Sequence, residues 1–171
     1  MKHGLSVIAA FFASAVLEAS FGDTLSVAGV RPSLMLIAVY AFSITEPAGR
    51  GMLYGALGGA LEDCLSGGYF GLFLSGYAMV GYLAGRAGKK WFNIGESANF
   101  AGIFALSLVN GFYTSAVLNA LRGGEDMLGL TLRYGVPQAL YNALAGAVTL
   151  WLFKSQLARR VPWLRSIRQH R

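Results

Sequence analysis

The sequence predicts an all-α integral membrane protein of six transmembrane helices, and three observations carry that reading. Of the 171 residues, 55% are hydrophobic and only 13% charged, outside the balance of soluble domains. Apolar blocks recur from end to end between short polar breaks, several of them approaching the roughly 20 residues that a membrane span needs, and no soluble domain fits between them. The third observation is the stretch Gly51-Met-Leu-Tyr-Gly-Ala-Leu-Gly-Gly-Ala-Leu-Glu-Asp63, in which Gly51, Gly55, Gly59 and Asp63, with Gly67 beyond them, are spaced by four. Steps of four stay on one helix face, so the glycines form a smooth groove into which another helix backbone fits closely. A carboxylate ends the groove, and this helix is expected to organise the bundle.

The first span is Leu5 to Phe21, following Met1-Lys2-His3. Its basic start and the small residues Ala13-Ser14-Ala15 resemble a signal peptide. The apolar run continues past that cleavage point, so a retained helix is the simpler expectation. Glu18, near its far end, is expected to reach the membrane interface, with a neighbouring helix as the alternative. Arg31-Pro32 opens the second run, Ser33 to Ile44, where proline suits a first helical turn because its missing N–H costs nothing there. This run is short for a span, so it either extends at its ends, tilts or is partly re-entrant.

A turn at Glu46 to Arg50 precedes the glycine helix, which runs to about Leu65, and Ser66-Gly67-Gly68 ends it. The fourth span, Gly71 to Gly85, again places Tyr77, Gly81 and Gly85 four apart. Arg86 to Ser97 reads as a polar loop, with Trp91 and Phe92 as interface anchors. The fifth span, Asn99 to Leu118, carries Ser107, Asn110, Tyr113, Thr114 and Ser115, a polar face expected to point into the bundle. The sixth, Tyr134 to Phe153, contains Pro137, Asn142 and Gly146. Residues 1–153 thus form the membrane domain. From Lys154 to Arg171, Leu157, Val161, Leu164 and Ile167 recur at helical spacing among Arg159, Arg160, Arg165, Arg168 and Arg171, which predicts a basic amphipathic tail on the anionic cytoplasmic leaflet and its lipids.

Six spans put both termini on one side. Eleven of the fourteen Lys and Arg residues fall on that side and only Arg31, Arg122 and Arg133 on the other, so the positive-inside rule makes the termini cytoplasmic. Asp23, Glu62, Asp63, Glu125 and Asp126 then face outward. The net charge of +6 follows the membrane-flanking breaks and the tail and forms no groove-lining pattern, so no nucleic-acid partner is expected.

No catalytic constellation, cofactor motif or metal site is expected. His3 and His170 lie at opposite ends of the chain, Cys64 is the only cysteine, and the Gly55 to Gly59 segment lacks the lysine and serine of a phosphate cradle. Adjacent helical residues point about 100° apart, so of the pair Glu62-Asp63 only Asp63 continues the glycine stripe. Its structural reading is a cap on backbone N–H groups near Ser66-Gly67-Gly68, or an ion pair with Arg31 or Arg122. Its functional reading is an ion or substrate ligand. Tyr69, Tyr82, Trp91, Tyr134, Trp151 and Trp163 sit near span ends as interface-belt residues.

The stretch Val30-Arg-Pro-Ser-Leu-Met-Leu-Ile-Ala-Val-Tyr40, followed by Gly55 to Gly67, then Gly71 and Gly81-Tyr-Leu-Ala-Gly85, resembles the rod shape-determining MreD family. The family pattern has a proline-led second helix with a tyrosine near its end, matched by Pro32 and Tyr40 beside Arg31. It continues with a glycine-containing helix ending in Leu-Asp and Ser-Gly, matched by Asp63, Ser66 and Gly67. Glu62 departs from it, standing where an apolar residue is usual. The resemblance implies a non-enzymatic subunit of the elongasome that binds MreC and works with MreB, RodA and the RodA transpeptidase partner to organise side-wall peptidoglycan synthesis. It also implies a fold resembling the S components of energy-coupling-factor transporters, which gives the alternative of a vitamin-binding transport subunit. On the first reading, the grooves of Gly51, Gly55 and Gly59, and of Gly81 and Gly85, serve helix packing or receive a partner's helix.

Overall fold

In the computed structural model, which describes residues 2–21, 24, 26, 29–94, 96–123 and 127–160, the apolar blocks form helices. They are α1 (Lys2–Phe21), α2 (Leu34–Ser43), α3 (Ala48–Ser66), α4 (Leu72–Ile94), α5 (Glu96–Arg122), α6 (Met127–Leu130) and α7 (Val136–Arg160), with a π-helical turn, Thr131–Gly135, between the last two. At about 1.5 Å per residue, the 20, 19, 23, 27 and 25 residues of α1, α3, α4, α5 and α7 run about 28 to 40 Å. The 10 residues of α2 run only about 15 Å. Among the described residues, Ser97–Arg122 is the one helix both long and apolar enough to cross a membrane by length and composition, and Val7–Ser20 and Leu34–Ser43 are shorter apolar helices.

The 10-residue α2 is the centre of the bundle. Met35, Leu36, Ile37, Val39, Tyr40 and Ser43 of α2 are buried, and α1, α3, α4, α5 and α7 all pack against it. On one side Met35, Leu36 and Val39 meet Val7, Phe11 and Ala15 of α1 and Tyr77 of α4. On the other, Tyr40 and Ile44 join Val80 and Ala84, Ile103 and Leu106, and Ala143 and Leu150 from α4, α5 and α7. Phe42 continues the packing sideways through edge-on contacts with Phe11 and Tyr54 at 5.8 and 6.4 Å. A helix buried all round must be apolar all round, and α2 is.

Four expectations are corrected. The second run does not lengthen toward its N-terminus, because α2 begins at Leu34 with Ser33 as its N-cap, the Ser33 hydroxyl accepting from the Leu36 N–H at 3.3 Å. Pro32 therefore precedes the cap instead of occupying the first turn. The segment Arg86 to Ser97 is not an open loop, since α4 continues to Ile94 and α5 starts at Glu96. Lysine and arginine are good helix formers, and Gly88 lets this extension lie against Ile44. The sixth span and the start of the tail share one helix, as α7 crosses 153–154 without a break and ends at Arg160. Finally, the π-helical turn has a local cause: Pro137 has no N–H to give to the carbonyl four residues back and its ring crowds that carbonyl, so the turn before it widens.

Large apolar side chains cover the outside of the bundle as well as filling its core. Ser33, Ser43, Asp63, Asn99, Ser107 and Asn142 are buried, whereas Ile8 and Phe12 of α1, Met52, Leu53 and Leu57 of α3, and Leu144, Val148, Trp151 and Leu152 of α7 are exposed. Apolar outer stripes on several helices are far more than the isolated exposed leucines that a water-soluble surface carries.

Candidate functional site

The glycine face of α3 is occupied by α4 of the same chain. A Cβ added at Gly55 would collide with the Tyr77 carbonyl and come within 2.9 Å of the Ala78 Cα. At Gly59 it would meet the Phe73 carbonyl, and at Gly51 the Gly81 carbonyl. The contact is reciprocal, since a Cβ at Gly81 would strike the Gly51 carbonyl and one at Gly85 would come 2.9 Å from the Ala48 Cα. Gly51, Gly55 and Gly59 thus interlock with Gly81 and Gly85 as two small-residue faces, and backbone meets backbone along the pair. Of the two readings of this groove, helix packing or a partner's helix, the structure has the first: α4 fills it.

Asp63 is 4% exposed at the end of that interface. Its Oδ2 accepts from the N–H groups of Gly71 and Leu74 at 2.8 and 3.0 Å, and its Oδ1 from Phe73 at 2.9 Å. The first N–H groups of a helix have no partner within it and carry the positive end of its dipole. Asp63, three residues before the last residue of α3, therefore caps α4. Both oxygens are engaged by backbone donors, as in the structural reading of Asp63, with the donors at the start of α4 instead of near Ser66-Gly67-Gly68, and the Arg122 guanidinium lies over the Tyr69 ring at 5.9 Å. The intervening turn is built by the other two motif residues. The Ser66 hydroxyl donates to the Asp63 carbonyl at 3.4 Å, and Gly67 ends α3 in the left-handed region at φ 63°, where a side chain is strained. Asp63, Ser66 and Gly67 are the closure of one antiparallel hairpin.

The start of α2 is held in the same manner. Glu18 of α1 accepts from the Met35 N–H at 3.1 Å, so it reaches the neighbouring helix rather than the interface. Asn142 of α7 accepts from the Ser33 N–H at 2.8 Å and donates to the Ser107 hydroxyl of α5 at 3.3 Å, while the Ser33 hydroxyl bonds the Tyr77 hydroxyl at 2.9 Å. Here α1, α4, α5 and α7 join one network that satisfies the backbone at the start of α2 from within, which a chain in lipid must do. The polar face predicted on α5 contributes Ser107 to this network, and Tyr113 bonds Ser75 of α4 at 2.7 Å. Sequence reasoning passed over Glu18, Ser33 and Asn142 as a set because their partners are as many as 109 residues apart.

The remaining motif residues are structural in their surroundings. Pro32 is buried, the Arg31 carbonyl accepts from Gln138 at 3.3 Å, and the fully buried Tyr40 donates to Asn99 at 3.2 Å. Of the belt residues, Tyr69, Tyr82, Tyr134 and Trp151 are exposed. Arg159 and Arg160 close α7, with side chains outside the described residues, and Arg165, Arg168 and Trp163 lie outside them altogether.

What the arrangement performs is packing: two carboxylates spent on helix N-termini, two glycine faces spent on each other, and an apolar exterior. A family model described as rod shape-determining protein MreD matches residues 2–161. No curated protein and no solved structure matches the chain. With nearly its whole length covered by that match, the chain belongs to the MreD family of rod shape-determining membrane proteins.

Proposed function

We propose that the protein is a non-enzymatic, multi-pass subunit of the elongasome in the bacterial inner membrane, which binds MreC and helps organise side-wall peptidoglycan synthesis together with MreB, RodA and the RodA transpeptidase partner. The match of residues 2–161 to the family carries this reading. The exposed apolar stripes of α1, α3 and α7 support a bundle embedded in lipid. The proposal keeps six crossings and cytoplasmic termini. Because α4 occupies the glycine face of α3, MreC docks on another surface.

Affinity-tagged full-length protein extracted in mild detergent is expected to carry MreC with it, and consistent recovery without MreC would refute the direct contact. Topology has its own check. A reporter active only in the periplasm, fused after Arg171, is expected to stay silent, and activity there would reverse the orientation. The transporter alternative would instead need capture of an energising module in the same extraction.

A further inference from the structure

Between the starts of α2 and α4, the second half of α5 and the start of α7 lies a cavity of about 320 Å³. That is within the range of small-molecule sites and holds roughly ten waters at about 30 Å³ each. Its wall mixes the apolar Leu36 and Phe73 with the polar Tyr77, Asn110, Ser115 and Gln138, and among the described residues no charged side chain lines it.

Most polar groups around it have partners, as Tyr77 has Ser33 and Gln138 has the Arg31 carbonyl. Asn110 is different. Its Oδ1 is buried with no hydrogen-bond partner, pressed so closely on α4 that a Cβ at Gly76 would stand 2.6 Å from it. A buried amide acceptor without a donor carries a standing desolvation cost that an incoming donor relieves, and rotation of the amide presents either its oxygen or its NH₂ group. The π-helical turn also shapes the wall, bringing Tyr134 and Gly135 to it. Single π-helical turns recur at functional sites. Among the described residues an ion finds no counter-charge to offset its desolvation here, and a lipid tail would leave the polar wall unpaired.

We propose that this cavity binds one small uncharged solute, which exchanges hydrogen bonds with the Asn110 amide and lays an apolar edge on Phe73. The site gives the bundle a ligand-binding capacity in addition to its packing role.

Native mass spectrometry of the full-length protein released from detergent micelles tests this. The wild type is expected to carry a single adduct of a few hundred daltons at most. Asn110→Leu, which removes the amide, and Ser115→Leu, which fills the wall, are each expected to lower its occupancy about tenfold, the equivalent of losing one hydrogen bond. Circular-dichroism melting shows that each variant is folded, and Ser115→Leu decides alone if Asn110→Leu is not. A bare wild-type protein, an adduct of phospholipid mass, or an adduct retained equally by the folded variants would overturn the proposal.

Discussion

Gly55→Leu is expected to break the α3–α4 pair and with it the bundle, at a cost of at least ~3 kcal/mol, the upper part of the range for overpacked cores. The reason is what the added atoms meet. At Gly55 even the first carbon collides with the Tyr77 carbonyl and approaches the Ala78 Cα to 2.9 Å, and backbone atoms cannot rotate aside as a flexible side chain does. The helices must separate, which also pulls Gly51 from Gly81 and Gly59 from Phe73. Against a total stability of about 5–15 kcal/mol, that loss leaves little folded protein. Gly55→Ala is expected to show the same direction with a smaller loss, whereas a leucine at the exposed Met52 of the same helix changes little. Thermal unfolding in mild detergent, followed by circular dichroism, reads all three. Unchanged melting of Gly55→Leu would contradict the close approach.

Asp63→Ala is the second large effect. It removes the acceptor for three backbone N–H groups at once, in a buried place where water does not readily replace it. Hydrogen bonds to a charged group contribute about 1.5–3 kcal/mol each and are not additive within one carboxylate, so a loss of about 3 kcal/mol is expected. Asp63→Asn keeps one oxygen acceptor and turns the other position into a donor facing N–H groups, so it is expected to fall between wild type and alanine. Glu62→Ala, beside it and only partly buried, is the control and is expected to stay within about 1 kcal/mol of wild type. Equal stability of Asp63→Ala and wild type in the same melting experiment would remove the capping role.

The helical class and the close-packed face of α3 were legible in the sequence because both are periodic. Glycines four apart specify a smooth face and an acid four further on specifies where it ends. The spacing does not say what fills the face. The reciprocal glycines Gly81 and Gly85 were visible at the same interval, yet the pairing of two such faces is a tertiary fact. A cap was one reading of Asp63, but its donors were not legible, nor was the role of Glu18: Asp63 serves amides 8 to 11 residues on and Glu18 serves Met35, 17 residues on, beyond the reach of local capping patterns. The centrality of α2 was obscured by its length, since a run of 10 apolar residues is too short for an ordinary span and its all-round burial leaves no periodicity to read. Charge misled the reading of Arg86 to Ser97, because a helix leaving an apolar layer becomes polar without ending.

The central claim is that the glycine faces of α3 and α4 belong to each other and stay together when the partner binds. Spin labels at the exposed Leu57 of α3 and Tyr82 of α4, in a chain whose exposed Cys64 is replaced by serine, report the separation of the two helices by pulsed electron paramagnetic resonance. The account predicts one narrow distance distribution, identical for the protein alone and for its complex with MreC. A distribution that lengthens or splits when MreC is added would mean that a partner's helix takes the place of α4, and would contradict it.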